Sequence, residues 1–103
     1  MKPITLLLTC RDKAEAQKII EELLDNKLVT CVRRFEVKSD YWWKGNIEHS
    51  DEVQLIMESF EDKFDDIEKT VRKLHSYETF VLMAYPVSRT SQGVDEWLKE
   101  TIG

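Results

Sequence analysis

The chain has 103 residues, 42% hydrophobic and 34% charged, with 15 basic against 20 acidic side chains and a formal charge of −5 at pH 7. That length sets one small domain, able to bury roughly two-thirds of its unfolded surface without disulfide or metal staples. The acidic balance excludes a nonspecific nucleic-acid binder and a basic membrane-surface module, and 3 glycines with 2 prolines exclude collagen-like, disordered and loop-dominated architectures.

Residues 4–10 are apolar on both faces, the pattern of a strand buried in the middle of a sheet. Asp12, with Glu15 three residues on, gives a capping-box-like helix start. Ala16, Ile19, Ile20, Leu23 and Leu24 then recur at helical spacing, and Asp25-Asn26 supplies the stop. Residues 29–41 read as a second strand with Val29, Cys31, Arg33, Phe35 and Val37 on one face, which places Cys31 toward the core. Trp42, Trp43, Lys44, Gly45 and Asn46 carry the turn, and residues 47–57 return as a third strand with Val53, Leu55 and Met57 alternating.

Ser59 with Asp62 signals a second helix start. Phe60, Phe64, Ile67, Val71 and Leu74 step along one helical face. Acids come early (Glu61, Asp62, Asp65, Asp66) and bases late (Lys69, Arg72, Lys73), as the helix dipole favours. Residues 80–86 form a fourth strand, and Thr90 or Ser91 caps a last helix that turns Val94, Trp97, Leu98 and Ile102 inward.

This order predicts an α+β, ferredoxin-like βαββαβ fold. Its antiparallel sheet has both main helices on one face, an extended hairpin between strands two and three, and a C-terminal helix. The hairpin arms, about 13 and 11 residues at ~3.4 Å each, reach about 40 Å, whereas helices of about 14 residues reach roughly 21 Å. The overhang carries Tyr41, Trp42 and Trp43 at its tip, and exposed aromatics on an open sheet edge predict an oligomer interface.

No phosphate-loop, dinucleotide or nucleophile-elbow motif is present. RNA-recognition modules share this layout, but they place aromatics in basic surroundings, and here the first strand is Ile-Thr-Leu-Leu-Leu-Thr. Cys10 and Cys31 show no C-x-x-C spacing and fall on strands that are not neighbours, which points to free thiols and a reducing, cytoplasmic compartment. No apolar run approaches the ~18 residues of a membrane span. The densest polar cluster is His75-Ser76-Tyr77-Glu78. A plain reading makes His75 a dipole partner at a helix end and Tyr77 a packing residue. His49 lies beside Glu48 and Asp51, a setting for weak surface metal binding, but reads first as a solvated loop residue.

Cys31-Val32, Ser39-x-Tyr41-x-Trp43-Lys44-Gly45-x-Ile47, Glu52, His75-x-Tyr77-Glu78 and Trp97 together resemble the CutA divalent-cation tolerance family over essentially the whole chain. The resemblance implies a tight homotrimer, similar to the PII-type signalling trimers, with strand extensions covering sheet edges. It also implies an association with copper and other divalent ions and no enzymatic reaction. On that basis His75 and Glu78, with Cys31 as a third donor, are the expected ligands of weakly bound divalent metal, Cu(II) first, with no tightly bound cofactor. Imidazole and thiolate suit that ion. Tyr77 and Glu52 would shape an intersubunit cleft.

The chain departs from the family where Lys-Thr becomes Glu58-Ser59, Asn becomes Arg33, and the second Pro and Glu become Phe80 and Val81. Glu58 and Arg33 therefore join the expected cleft. The alternative is a PII-like structural or signalling trimer that binds a protein partner or small ligand in its clefts without metal. Neither nucleic acid nor membrane is an expected partner.

Overall fold

Alternation along the strands decides which side chains meet the helices. The computed structural model describes all residues, Met1–Gly103, as β1 (Pro3–Cys10), α1 (Lys13–Asp25), β2 (Cys31–Trp43), β3 (Asn46–Phe60), a 3-10 turn (Glu61–Lys63), α2 (Phe64–Leu74), β4 (Leu82–Pro86) and α3 (Val94–Ile102). The sheet runs β2-β3-β1-β4 with every neighbouring pair antiparallel, the ferredoxin-like order that the sequence predicts. Ile4, Leu6, Leu8 and Cys10 of β1 alternate inward and meet Val53, Leu55 and Met57 of β3. Ala16, Ile19 and Leu23 of α1 and Ile67 and Val71 of α2 close this core from one side. Each fully buried aliphatic contributes about 1.5–3 kcal/mol, more than local propensity supplies to helices this short.

The β2-β3 register runs unbroken from Cys31 opposite Glu58 to Trp43 opposite Asn46. Lys44 and Gly45 close the hairpin with φ of 49° and 83°, a two-residue turn whose twist matches the strands. The longest dimension of the molecule is 44 Å, in line with the length expected of the arms.

Several local expectations change. Trp42 and Trp43 belong to β2 itself, not to the turn. Cys31, Arg33, Phe35 and Val37 share a face, but their cross-strand partners are Glu58, Ile56, Gln54 and Glu52. That is the face turned away from α1 and α2, so Cys31 is not a core-facing residue. Leu7, Met83 and Tyr85 lie on the same second face by register.

Ser59 caps nothing. β3 continues through Phe60, and α2 begins after the 3-10 turn without a side-chain cap. Ser59 is fully buried and its hydroxyl donates to the Leu28 carbonyl at 2.6 Å. Ser59→Ala is expected to cost about 1 kcal/mol, measurable as a shifted urea midpoint with unchanged slope. β4 begins at Leu82 rather than at Phe80. The cap of α3 is Gly93, at φ 95°, rather than Thr90 or Ser91.

Candidate cleft at the base of the hairpin

β1 ends at Cys10, opposite Val53. From Glu52 to the tip, β3 has β2 as its only strand partner, and the chain between α2 and β4 occupies the space beside this end. Glu52 is the first β3 residue beyond β1 on the second face. It is 6% exposed, and its Oε2 accepts the Tyr77 hydroxyl at 2.7 Å. Desolvation, then the Glu52 carboxylate, pushes the Tyr77 hydroxyl well above its ordinary pKa. The Tyr41 hydroxyl lies 3.0 Å from the Ser50 Oγ on the hairpin. Between these groups opens a cleft of ≈ 640 Å³ whose walls include Tyr41, Trp42, Trp43, Glu52, Tyr77 and Glu78. No Lys, Arg or His lines it.

The loop that carries Tyr77 is fixed from beneath by Glu15. Asp12 accepts the Glu15 N–H at 2.9 Å as the helix cap. The Glu15 carboxylate is itself buried and turns back over the start of the helix. It accepts the Arg11 N–H at 2.7 Å and, through its other oxygen, the Ser76 N–H. Burial alone would raise the Glu15 pKa, but the bonds from Ser76 and Arg11 outweigh it and hold the carboxyl below its ordinary value.

His75 sits beside this carboxylate, Nδ1 to Oε1 3.4 Å, with no exposed side-chain surface. Its Nδ1 accepts the Tyr77 N–H at 3.1 Å. Nε2 therefore carries the proton and donates to the Thr9 carbonyl at 2.8 Å. The ring stacks on Phe80 at 5.1 Å.

The expected metal ligands do not converge. Both ring nitrogens of His75 are taken up by the main chain, Glu78 is exposed at the cleft, and Cys31 lies opposite Glu58 near the far end of the sheet. Cys10 is buried, with its thiol pushed up to about 12 by burial and then by Glu15, Asp12 and Glu52, so it supplies no thiolate. The chain holds no group of three or more His, Cys, Asp or Glu side chains placed to bind one ion. His75, Glu78 and Cys31 of one chain do not fit a copper centre.

The expected cleft set also divides in two. Glu52 and Tyr77 meet. Arg33 and Glu58 pair with each other, Nη1 to both carboxylate oxygens at 2.6 and 2.7 Å, but Glu58 lies six residues along β3 from Glu52, about 20 Å away at ~3.4 Å per residue, and Arg33 sits on β2 opposite Ile56. Sequence reasoning took Glu15 only as a capping residue and Tyr41 only as an interface aromatic. The first sign of Glu15's wider role is its spacing after Asp12, which cannot reveal a partner 61 residues on.

The chain matches the family model of the CutA1 divalent ion tolerance protein over residues 4–101. It is 34% identical over 97 residues to a divalent-cation tolerance protein CutA of Archaeoglobus fulgidus, covering 94% of this chain and 95% of that protein. The counterpart in Thermotoga maritima is 33% identical over 94 residues, covering 91% and 93%. Among solved structures, the periplasmic divalent cation tolerance protein CutA of Archaeoglobus fulgidus superposes with a TM-score of 0.95 at 33% identity, covering 98% of this chain and 99% of that one. CutA1 of Oryza sativa superposes at 0.93 with 25% identity, covering 98% and 94%.

Proposed function

The chain belongs to the CutA1 divalent ion tolerance family, and from that premise we propose that it serves divalent-ion tolerance as a non-enzymatic homotrimer with a ligand-receiving cleft on each subunit. The observation that carries this reading is the cleft of ≈ 640 Å³ beside an unburied apolar face. Phe35, Met83 and Tyr85 are 47%, 44% and 46% exposed on that face, and Trp42 on the overhanging arm is 71% exposed. Contiguous apolar surface of this kind marks an interface. Copies packed on the second face would bury it and set the cleft at a subunit boundary, the PII-like arrangement.

A role without catalysis fits the cleft's chemistry. Its nearest imidazole is held by the main chain, and the Tyr77 hydroxyl, with its pKa raised, is a poor base at neutral pH. No helix is long and apolar enough to cross a membrane. A cytoplasmic location is part of the proposal, supported by two unpaired cysteines, although the Archaeoglobus neighbour is described as periplasmic.

Direct but weak Cu(II) binding is a second reading, favoured by one exposed imidazole on the hairpin, His49, whose Nδ1–H donates to Asp40 Oδ1 at 2.6 Å and leaves Nε2 for the ion. Imidazole suits copper, which stands highest in the Irving–Williams order. Calorimetric titration of Cu(II) distinguishes the two sites. His75→Gln is expected to leave the affinity within about twofold and His49→Gln to abolish any measurable uptake. Lost uptake in a folded His75→Gln protein would return His75 to the ligand set. Sedimentation of the same samples tests the trimer.

A further inference from the structure

Glu52 is more than nine-tenths buried, yet the Tyr77 hydroxyl engages only its Oε2. Oε1 accepts no hydrogen bond within the chain, and no buried side-chain oxygen is orphaned, so Oε1 keeps an outlet into the cleft. Glu52 has no ion-pair partner, and neither does Glu78 beside it, while every other wall is hydroxyl, apolar or aromatic.

An anion would meet two carboxylates and no cation here. A neutral apolar ligand would leave the Glu52 charge stranded away from water, which is strongly unfavourable. A metal ion needs several converging oxygen, nitrogen or sulfur donors, and the chain shows no such group. An organic cation satisfies all the walls at once. Its N–H groups make charge-assisted bonds to the carboxylate, and its alkyl or planar body lies against aromatic faces that attract positive charge. The Trp43 ring already takes such a contact from outside the cleft, with the Lys44 ammonium 5.5 Å from its centroid.

We propose that this cleft recognises an organic monocation, an alkylammonium or guanidinium, with Glu52 and Glu78 meeting the charge and Tyr41, Trp43 and Tyr77 the body. The inference deepens the ligand-receiving cleft proposed above and rests on it. The cation comes either from a free small molecule or from a Lys or Arg side chain of an adjacent copy.

Nα-Acetylarginine methyl ester and its uncharged near-isostere Nα-acetylcitrulline methyl ester, titrated into the full-length protein by calorimetry, test the charge. Sedimentation in the same buffer records the assembly. Tryptophan fluorescence provides a local signal from Trp42 and Trp43.

The arginine ester is expected to bind at least about tenfold more tightly than the citrulline ester. Glu52→Gln, which keeps an acceptor for Tyr77, should lose about that factor. Glu58→Gln, at the far end of β3, should lose none. Binding by the trimer identifies a free ligand. Binding only by a Phe35→Asp monomer identifies a neighbour's side chain as the natural occupant. Equal affinity for both esters, displacement of the arginine ester by equimolar Cu(II), or no binding by either trimer or monomer overturns the proposal. Sedimentation showing no trimer in the wild type overturns the assembly reading alone, because ester binding is scored separately.

Discussion

Phe35→Asp is expected to convert the proposed trimer into a folded monomer at micromolar concentration. Phe35 lies in the first half of β2, opposite Gln54 and on the face shared with Leu7, Ile56, Met83 and Tyr85. It is 47% exposed in the single chain and lies outside the core built by β1, α1, β3 and α2. A charge placed there costs the isolated subunit little, since the residue faces water. In an assembly that buries this face the same carboxylate loses its hydration while Arg33, the cation on that face, stays paired with Glu58, at a cost of several kcal/mol per copy. The cost falls on every interface at once.

Sedimentation velocity should therefore show the monomer, while far-UV circular dichroism stays close to wild type and the urea unfolding slope falls with the interface area that unfolding no longer exposes. Trp43→Ala, which only removes contact area from the overhanging arm, should weaken association by about 2 kcal/mol and leave trimer at higher concentration. A Phe35→Asp protein that sediments as the wild type does would remove the second sheet face from the interface. One that precipitates or loses its helical signal would show that Phe35 supports the subunit itself.

The sheet order and both main helices were legible because each depends on repeated, redundant signals. The residues of α2 that point inward, Ile67 and Val71, are flanked by charges ordered along the helix dipole. The face of β2 was not legible. Apolar spacing reports that Cys31, Phe35 and Val37 share a side, but a sheet with apolar residues on both faces does not say which side the helices take. Register settles it, through Val32 opposite Met57 and Arg33 opposite Ile56.

Ser59 failed as a cap for a related reason. The Ser-x-x-Asp pattern was present, but strand pairing to Ile4 held the backbone extended through it, and the hydroxyl found the Leu28 carbonyl instead. The polar cluster at His75 was visible as a motif. Its role depends on the Thr9 carbonyl, 66 positions earlier, and no local pattern encodes that distance. Only the resemblance groups Tyr77 with Glu52, 25 positions apart, and it groups Arg33 and Glu58 with them in an intersubunit cleft, whereas within one chain those two sit at the other end of the sheet.

Glu15→Ala is expected to destabilise the chain by about 2 kcal/mol, since it takes the acceptor from two main-chain donors and empties a buried side-chain position. The donors are the N–H groups of Arg11 and Ser76, and they tie the start of α1 to the loop after α2. Glu15→Gln keeps the size of the side chain and removes its titration, while its single amide oxygen can serve only one of the two N–H groups. The Glu15 carboxyl titrates below its ordinary value of 4.5, because the Ser76 and Arg11 bonds outweigh the opposing burial. A lowered folded-state pKa makes its stabilisation fully present above the unfolded value and progressively lost as pH falls through the folded one. Urea unfolding of the wild type should therefore weaken on the acid side of pH 4.5 more steeply than unfolding of Glu15→Gln.

Hydrogen exchange adds a positional readout. With the anchor gone, the Ser76 and Tyr77 amides should lose protection before the β1-β3 ladder does, and the Tyr77 hydroxyl should lose its fixed approach to Glu52. A Glu15→Gln protein with an unchanged acid limb would mean that the carboxylate's charge does not stabilise the fold. Full protection at Ser76 in Glu15→Ala would instead make His75, bonded to Thr9 and Tyr77, the residue that holds the cleft loop in place.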